Sequence, residues 1–117
     1  QDNAYKDDAR RYAHPRLNAN WNDWFTFAIG WKPEDFERAR AIWPKVQRMA
    51  VRLYATRARM TVGTDMSNPW IAPGISLHRE MQLLAEAGVP NSRILAAATA
   101  NAADALGASS RLGRIAP

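Results

Sequence analysis

One stretch of this chain has the alternation of a β-strand, and it lies between helices. In Arg59-Met60-Thr61-Val62-Gly63-Thr64, one side carries Met60, Val62 and Thr64; the other carries Thr61, Gly63 and then Asp65. A single strand leaves both of its edges unpaired and cannot make a sheet alone. Helix, strand and helix in that order belong to an α/β architecture, so its other strands are expected elsewhere.

The flanking segments read as helices. Over residues 33–58, Pro33 suits a first helical position, and Glu34, Asp35 and Glu37 suit the positive end of the dipole. Phe36, Ala39, Trp43, Val46, Ala50 and Leu53 recur as one apolar stripe, and Arg57 and Arg59 follow at the negative end. Pro44 removes a hydrogen bond and crowds the preceding turn, so a kink or a split is expected there. Residues 66–75 form a loop, marked by Asn68-Pro69 and Pro73-Gly74. Ser76 reads as the N-cap of a helix over 77–87, with Leu77, Met81 and Leu84 inward and Gly88 ending it. A further helix is expected over 92–106, with Ile94, Leu95, Ala98, Ala102 and Leu106 inward and Gly107 closing it. Residues 111–117 read as the start of another strand. Residues 1–31 show no sustained period; they suggest an aromatic-rich loop with helical turns near 4–12 and 19–28, packed against a neighbouring part of the fold. Both ends look abrupt, which leads us to expect a fragment that folds poorly by itself.

Composition narrows the chemistry. The chain has 117 residues, 47% hydrophobic and 23% charged, an ordinary globular balance that excludes disorder throughout. With no cysteine, disulfides, thiolate-bound zinc and thiol nucleophiles are excluded. Lys and Arg number 16 against 11 Asp and Glu, a net charge of +5 that raises nucleic acid as a partner without establishing it. No run reaches the length of a membrane span, and the first residues do not form a basic-then-apolar leader.

Asp65 is the strongest candidate for chemistry. It follows the strand and precedes a Pro/Gly-rich loop, the place where parallel α/β barrels keep their active sites. A carboxylate there can ligate a metal and take a proton from water. An Asp at such a place can equally cap the turn that follows it. The pattern alone leaves both roles open.

Several segments, taken in order, closely resemble the C-terminal part of the amidohydrolase superfamily. They are Val62-Gly63-Thr64-Asp65-Met66, Pro73-Gly74, residues 77–84 (Leu77-His78-Arg79-Glu80 onward), Glu86-Ala87-Gly88-Val89-Pro90, Ala98-Thr99-Ala100-Asn101-Ala102-Ala103, Leu106-Gly107 and residues 112–117. The resemblance is best over 59–117, weak through His14-Pro15-Arg16-Leu17, and nearest to the imidazolonepropionase-like and prolidase-like group. It implies a (β/α)8 TIM-like barrel, mostly helical in this part, with 59–64 as the eighth strand. Residues 1–110 would then be barrel, and 111–117 the start of a return to a small β-sandwich domain. It also implies that Asp65 is a metal ligand or lies beside the metal, and moves the proton of the hydrolytic water.

The implied activity is hydrolysis of a carbon–nitrogen bond, amide or cyclic amide, in a small-molecule or peptide-like substrate. The implied cofactor is one or two divalent metal ions, zinc by expectation. The family's other ligands, a His-x-His pair, a carboxylated Lys or Glu and two further histidines, are absent. The histidines here are His14 and His78, in neither pattern. Those ligands would come from outside this chain, the remainder of the same barrel would be its partner, and the chain alone would be inactive. His78, Asn68 and Trp70 are candidate substrate-binding residues, each of which also reads as an ordinary helix-end or loop-packing residue. Thr99 and Asn101 are expected to tie down the last helix. Arg38, Lys45, Arg52 and Arg59 recur every seven residues. This basic stripe reads as a solvated face, with no nucleic-acid role. The alternative function is a non-enzymatic helical module that binds an acidic partner through it.

Overall fold

The computed structural model describes residues 9–21, 30–66 and 68–115. Residues 9–12 are helical. They are followed by α1 (Pro15–Trp21), α2 (Pro33–Ala55), α3 (Ile75–Ala87), α4 (Asn91–Ala98) and α5 (Ala100–Ala105).

The α/β expectation does not hold. Among the described residues there is no strand, and an isolated bridge joins Met66 to Asn68. Among the described residues neither the barrel strand expected at 59–64 nor the return strand expected from residue 111 forms. The reason lies in where the backbone groups of 59–64 find partners. The Val62 amide donates to the Ala97 carbonyl at 3.3 Å, and the Met60 carbonyl accepts from Asn101 Nδ2 at 2.8 Å. Helix ends and a side chain supply what a neighbouring strand would have supplied. The alternation survives as burial: Met60, Val62 and Thr64 are half-buried, while Arg59, Thr61, Gly63 and Asp65 are exposed. Past α5 the chain turns, with the Arg111 and Leu112 amides both donating to the Ala108 carbonyl, at 2.9 and 3.0 Å.

Helix α2 starts as expected at Pro33. Asp35 Oδ2 accepts the Lys32 amide at 3.0 Å while the Asp35 amide donates to the Lys32 carbonyl, a reciprocal closure of the first turn. Thr56 ends the helix by donating its hydroxyl to the Leu53 carbonyl at 2.7 Å. The helix runs unbroken past Pro44, so the split expected there does not occur. A proline costs one backbone bond and one local clash, which a helix of 23 residues tolerates when the turns on either side hold. The apolar stripe is corrected too. Trp43, Val46 and Leu53 stay 41%, 39% and 42% exposed, and the helix instead buries Tyr54, with Val51 packed beside it.

Ser76 is not an N-cap. Helix α3 begins at Ile75, and Ser76 is buried inside its first turn. Gly88 closes α3 at φ 103°, with its amide on the Ala85 carbonyl and the Val89 amide on the Leu84 carbonyl. Gly107 closes α5 with the same pair of bonds. The single helix expected over 92–106 is two helices divided at Thr99 (φ −127°, ψ −85°). The Thr99 hydroxyl donates back to the Leu95 carbonyl at 2.7 Å, an interaction that bends helices. The division shifts the inward line to Ile94, Ala97, Ala100 and Ala103 and leaves Leu95 and Leu106 exposed. Gly113 packs on this break; a Cβ there would lie 2.6 Å from Ala103 Cβ and 2.9 Å from the Thr99 carbonyl oxygen.

The chain forms two compact units, one drawn from residues 1–45 and 64–79, the other from 46–63 and 80–117. In the first, Ala9, Trp21 and Ala72 are buried, with Ala13, Trp70 and Ile75 against them. The Trp21 and Trp70 rings lie 5.5 Å apart, and Arg10 sits 5.0 Å over Trp70. Trp21 thus packs as the aromatic-rich N-terminal segment was expected to; Trp24, Phe25 and Phe27 lie outside the described residues. In the second unit, Tyr54, Val89, Ile94 and Ala97 are buried, with Val51, Met60, Val62, Met81 and Leu84 packed on them.

Candidate functional site

Asp65 stands at the entrance of the loop between the extended segment and α3, in the left-handed region at φ 52°. Aspartate tolerates that region better than most residues because its short polar side chain can bond locally. Here it does so. Asn68 Nδ2 donates to Asp65 Oδ2 at 2.7 Å and to the Asp65 carbonyl at 3.1 Å. The Asn68 amide reaches that same carbonyl at 3.4 Å, and the Ile71 amide continues the turn onto the Asn68 carbonyl at 3.1 Å. Asp65 is exposed, and one carboxylate oxygen is held while Oδ1 has no hydrogen bond among the described residues. The geometry therefore carries the turn-organising role in full and leaves one oxygen available for chemistry.

Asp65 and Asn68 are thus brought together. Trp70, also at positive φ (66°), is half-buried and directed into the Trp21 pair. Two left-handed non-glycine residues within one short loop concentrate strain of a kind found at functional turns. His78 is exposed on the first turns of α3, its amide on the Gly74 carbonyl at 3.3 Å. No hydrogen bond joins it to Asp65 or Asn68 among the described residues. His14 caps α1, its Nδ1 accepting the Arg16 amide at 3.2 Å.

Among the described residues no three His, Cys, Asp or Glu side chains come close enough to hold a metal ion. A lone carboxylate does not hold a catalytic divalent metal. The donor set present here does not fit one.

A second carboxylate emerges that motif reading passes over. Glu80 on α3 is half-buried. Burial pushes its carboxyl above the ordinary range, and the nearby Gly63 backbone amide opposes part of that rise. Burial likewise raises the Tyr54 phenol, and the charge of Glu80 adds to it. The signal was present in the spacing: Glu80 lies three after Leu77 and four before Leu84, on the apolar line of α3. A carboxylate on such a line is either paired or functional.

Asn101 does what its place suggested, tying α5 to the extended segment through Met60, whereas the Thr99 hydroxyl is spent on the carbonyl of Leu95 within α4. Of the basic stripe, Arg38 pairs with Asp35 at 3.6 Å and Arg59 with Asp104 at 3.1 Å, and all four residues are exposed. No described helix is long and apolar enough to cross a membrane.

No curated protein and no solved structure matches the chain. The amidohydrolase family model matches residues 29–117, which include Asp65, Asn68, Trp70, His78, Glu80 and Asn101. The chain belongs to the amidohydrolase family, a family of metal-dependent hydrolases.

Proposed function

We propose that this chain serves the hydrolysis of a carbon–nitrogen bond, amide or cyclic amide, with Asp65 as the carboxylate that handles the proton. The observation that carries the reading is the Asp65 turn: an exposed carboxylate with Oδ2 fixed by Asn68 and Oδ1 without a hydrogen bond among the described residues, inside the matched region. Oδ1 would take a proton as water attacks the carbonyl carbon, and the same group would return it to the leaving nitrogen. The bond from Asn68 holds the carboxylate in one orientation, which is what a general base needs before its substrate arrives. Asn68, Trp70 and His78 are the residues assigned to the substrate, small or peptide-like, of the kind taken by the imidazolonepropionase-like and prolidase-like group. We assign the family's divalent metal as zinc, one or two ions, with Asp65 as one ligand; the remaining ligands are not among the described residues, and the chain by itself is expected to be inactive.

The test is turnover by the complete gene product under saturating divalent metal, parent against Asp65→Asn. The substitution keeps shape and the left-handed backbone but removes the base. A loss on the order of 10²–10⁴-fold is expected. Activity within about threefold of the parent would remove Asp65 from the chemistry and leave it only the turn.

A second reading has one observation in its favour. Lys45 and Arg52 are exposed on α2 beside the exposed Trp43, Val46 and Leu53, which suits an acidic amphipathic partner. Salt-sensitive binding of an acidic peptide, abolished by Lys45→Glu with Arg52→Glu and independent of Asp65, would favour this reading.

A further inference from the structure

Helix α2 carries two apolar lines, and the described chain covers one of them. Val51 and Tyr54 pack into the core of the second unit. Ile42, Val46, Met49 and Leu53 follow one another at steps of four, three and four residues and are all exposed, Ile42 by 51% and Met49 by 57%. At about 100° per residue these four lie within roughly 60° of one another, in a line one residue wide. Val51 and Tyr54 lie about 100° or more round the same continuous helix, so their burial leaves the line exposed. Pro44 falls on the side opposite the line and does not interrupt it. Beside the line stand Arg38, Lys45 and Arg52, seven residues apart and all exposed. On its other side Phe36, Trp43 and Ala50 carry no charge.

We propose that this face of α2 is the docking surface for an acidic amphipathic helix that carries a heptad seam. The proposal rests on the second reading given above, in which α2 takes an acidic partner, and adds the partner's form. Apolar steps of four and three, with charges at one flank every seven residues, are the pattern of a helix that pairs with another helix. The partner's apolar seam covers Ile42, Val46, Met49 and Leu53, and carboxylates beside that seam meet Arg38, Lys45 and Arg52. Charge selects against a second copy of this chain as the occupant. There the basic flank meets either itself or the uncharged flank of Phe36, Trp43 and Ala50. Width selects against a lipid surface, because a line one residue wide is a seam for one helix and not a broad apolar face. Asp35 already pairs with Arg38 at 3.6 Å, but that pair is exposed and a weak competitor.

The test uses the complete gene product and labelled peptides of about four heptads. One peptide has leucine along its seam and glutamate on both flanks, which opposes self-pairing. A second is a scramble of the first, and a third carries lysine in place of glutamate. Binding is read by fluorescence anisotropy at low and at physiological salt. The glutamate peptide is expected to bind, less tightly as salt rises, and about tenfold or more tighter than its scramble. Val46→Gln with Met49→Gln changes exposed side chains, so the fold should be kept while binding weakens about tenfold or more. Arg38→Glu with Lys45→Glu and Arg52→Glu should weaken the glutamate peptide about tenfold or more and take the lysine peptide in its place. Equal binding of the scramble overturns the proposal and leaves the acidic-partner reading standing. Binding that the double glutamine variant does not weaken overturns it too, because the peptide then sits elsewhere. So does a charge-reversed variant that does not prefer the lysine peptide. Absence of binding by both the glutamate peptide and its scramble ends the proposal and the acidic-partner reading together, and retention on phosphatidylserine vesicles in that case assigns the face to lipid.

Discussion

The core of the first unit is Trp21, Ala72 and the half-buried Trp70, assembled around a loop in which two non-glycine residues hold left-handed backbone. The core of the second is Tyr54, Val89, Ile94 and Ala97, set among helices that end in bonded glycine turns. In the first, side chains hold an irregular backbone: aromatic rings fix Trp70, and Asn68 fixes Asp65. In the second, regular backbone is the support, and side chains such as Asn101 and Asp104 reach out to hold the extended segment. The candidate chemistry sits on the irregular side of this division. Loops on fixed supports are where reactive groups are usually placed, because irregular backbone can aim a side chain that a helix would direct elsewhere.

The comparison is broken most directly at Asp65. If the loop is built for chemistry, Asp65→Asn costs on the order of 10²–10⁴-fold in turnover. It should barely move the melting temperature, because asparagine accepts the same backbone. A variant that loses stability in step with activity would mean the loop is a structural turn.

Trp21→Ala sharpens it from the side of packing. Trp21 is 5% exposed and the largest buried side chain among the described residues of its unit. Truncation should cost about 3–5 kcal/mol, read from urea unfolding of the gene product. Tryptophan fluorescence should lose the Trp21–Trp70 contact at the same time. A cost under about 1 kcal/mol would show the aromatic pair to be a surface contact.

Gly113→Ala is the matching insult to the second unit. It places a Cβ 2.6 Å from Ala103 Cβ at φ 86°, against helix backbone that has no flexible end to move aside. Left-handed strain and overpacking together should cost about 2–4 kcal/mol by urea unfolding. A neutral substitution would mean that residues 108–113 leave the helices freely.

These contrasts also explain what the sequence could show. Helix starts and stops were legible where one residue decides them, as at Pro33, Gly88 and Gly107, since conformational restriction is local chemistry. The two-residue alternation at 59–64 was legible as sidedness, but a strand is a relation between two segments and the second was not in the described chain. The inward face of α2 was misassigned because periodicity reports that a stripe exists, while packing decides which line is buried. The break at Thr99 depends on one hydroxyl bonding backwards and on Gly113, fourteen residues later. Asp65 was legible from motif and position. Its bond from Asn68 was not, because Asn68-Pro69 reads equally well as a plain turn. Glu80 was written on the apolar line of α3, yet its partial burial could be found only by folding the chain.

The smallest expected effect is a change of slope with pH, and it separates the two units cleanly because Glu80 belongs to the second. Burial raises the Glu80 carboxyl in the folded chain above its value in the unfolded chain. Between those two values the folded state binds more protons than the unfolded state, so folding is favoured by acid across that interval. The contribution is fully present below the unfolded carboxylate range and is lost as pH rises through the folded value. Glu80→Gln has nothing to titrate. The difference in unfolding free energy, Glu80→Gln minus parent, should therefore grow as pH is raised from the ordinary carboxylate range towards neutrality and level off above it. Urea unfolding at closely spaced pH values measures it, with Asp104→Asn, which breaks the exposed pair with Arg59, as the control for general charge effects. A difference that shrinks with rising pH would mean that the Gly63 backbone amide outweighs burial. Glu80 would then stabilise the second unit as a charged carboxylate, and its burial would carry no net cost.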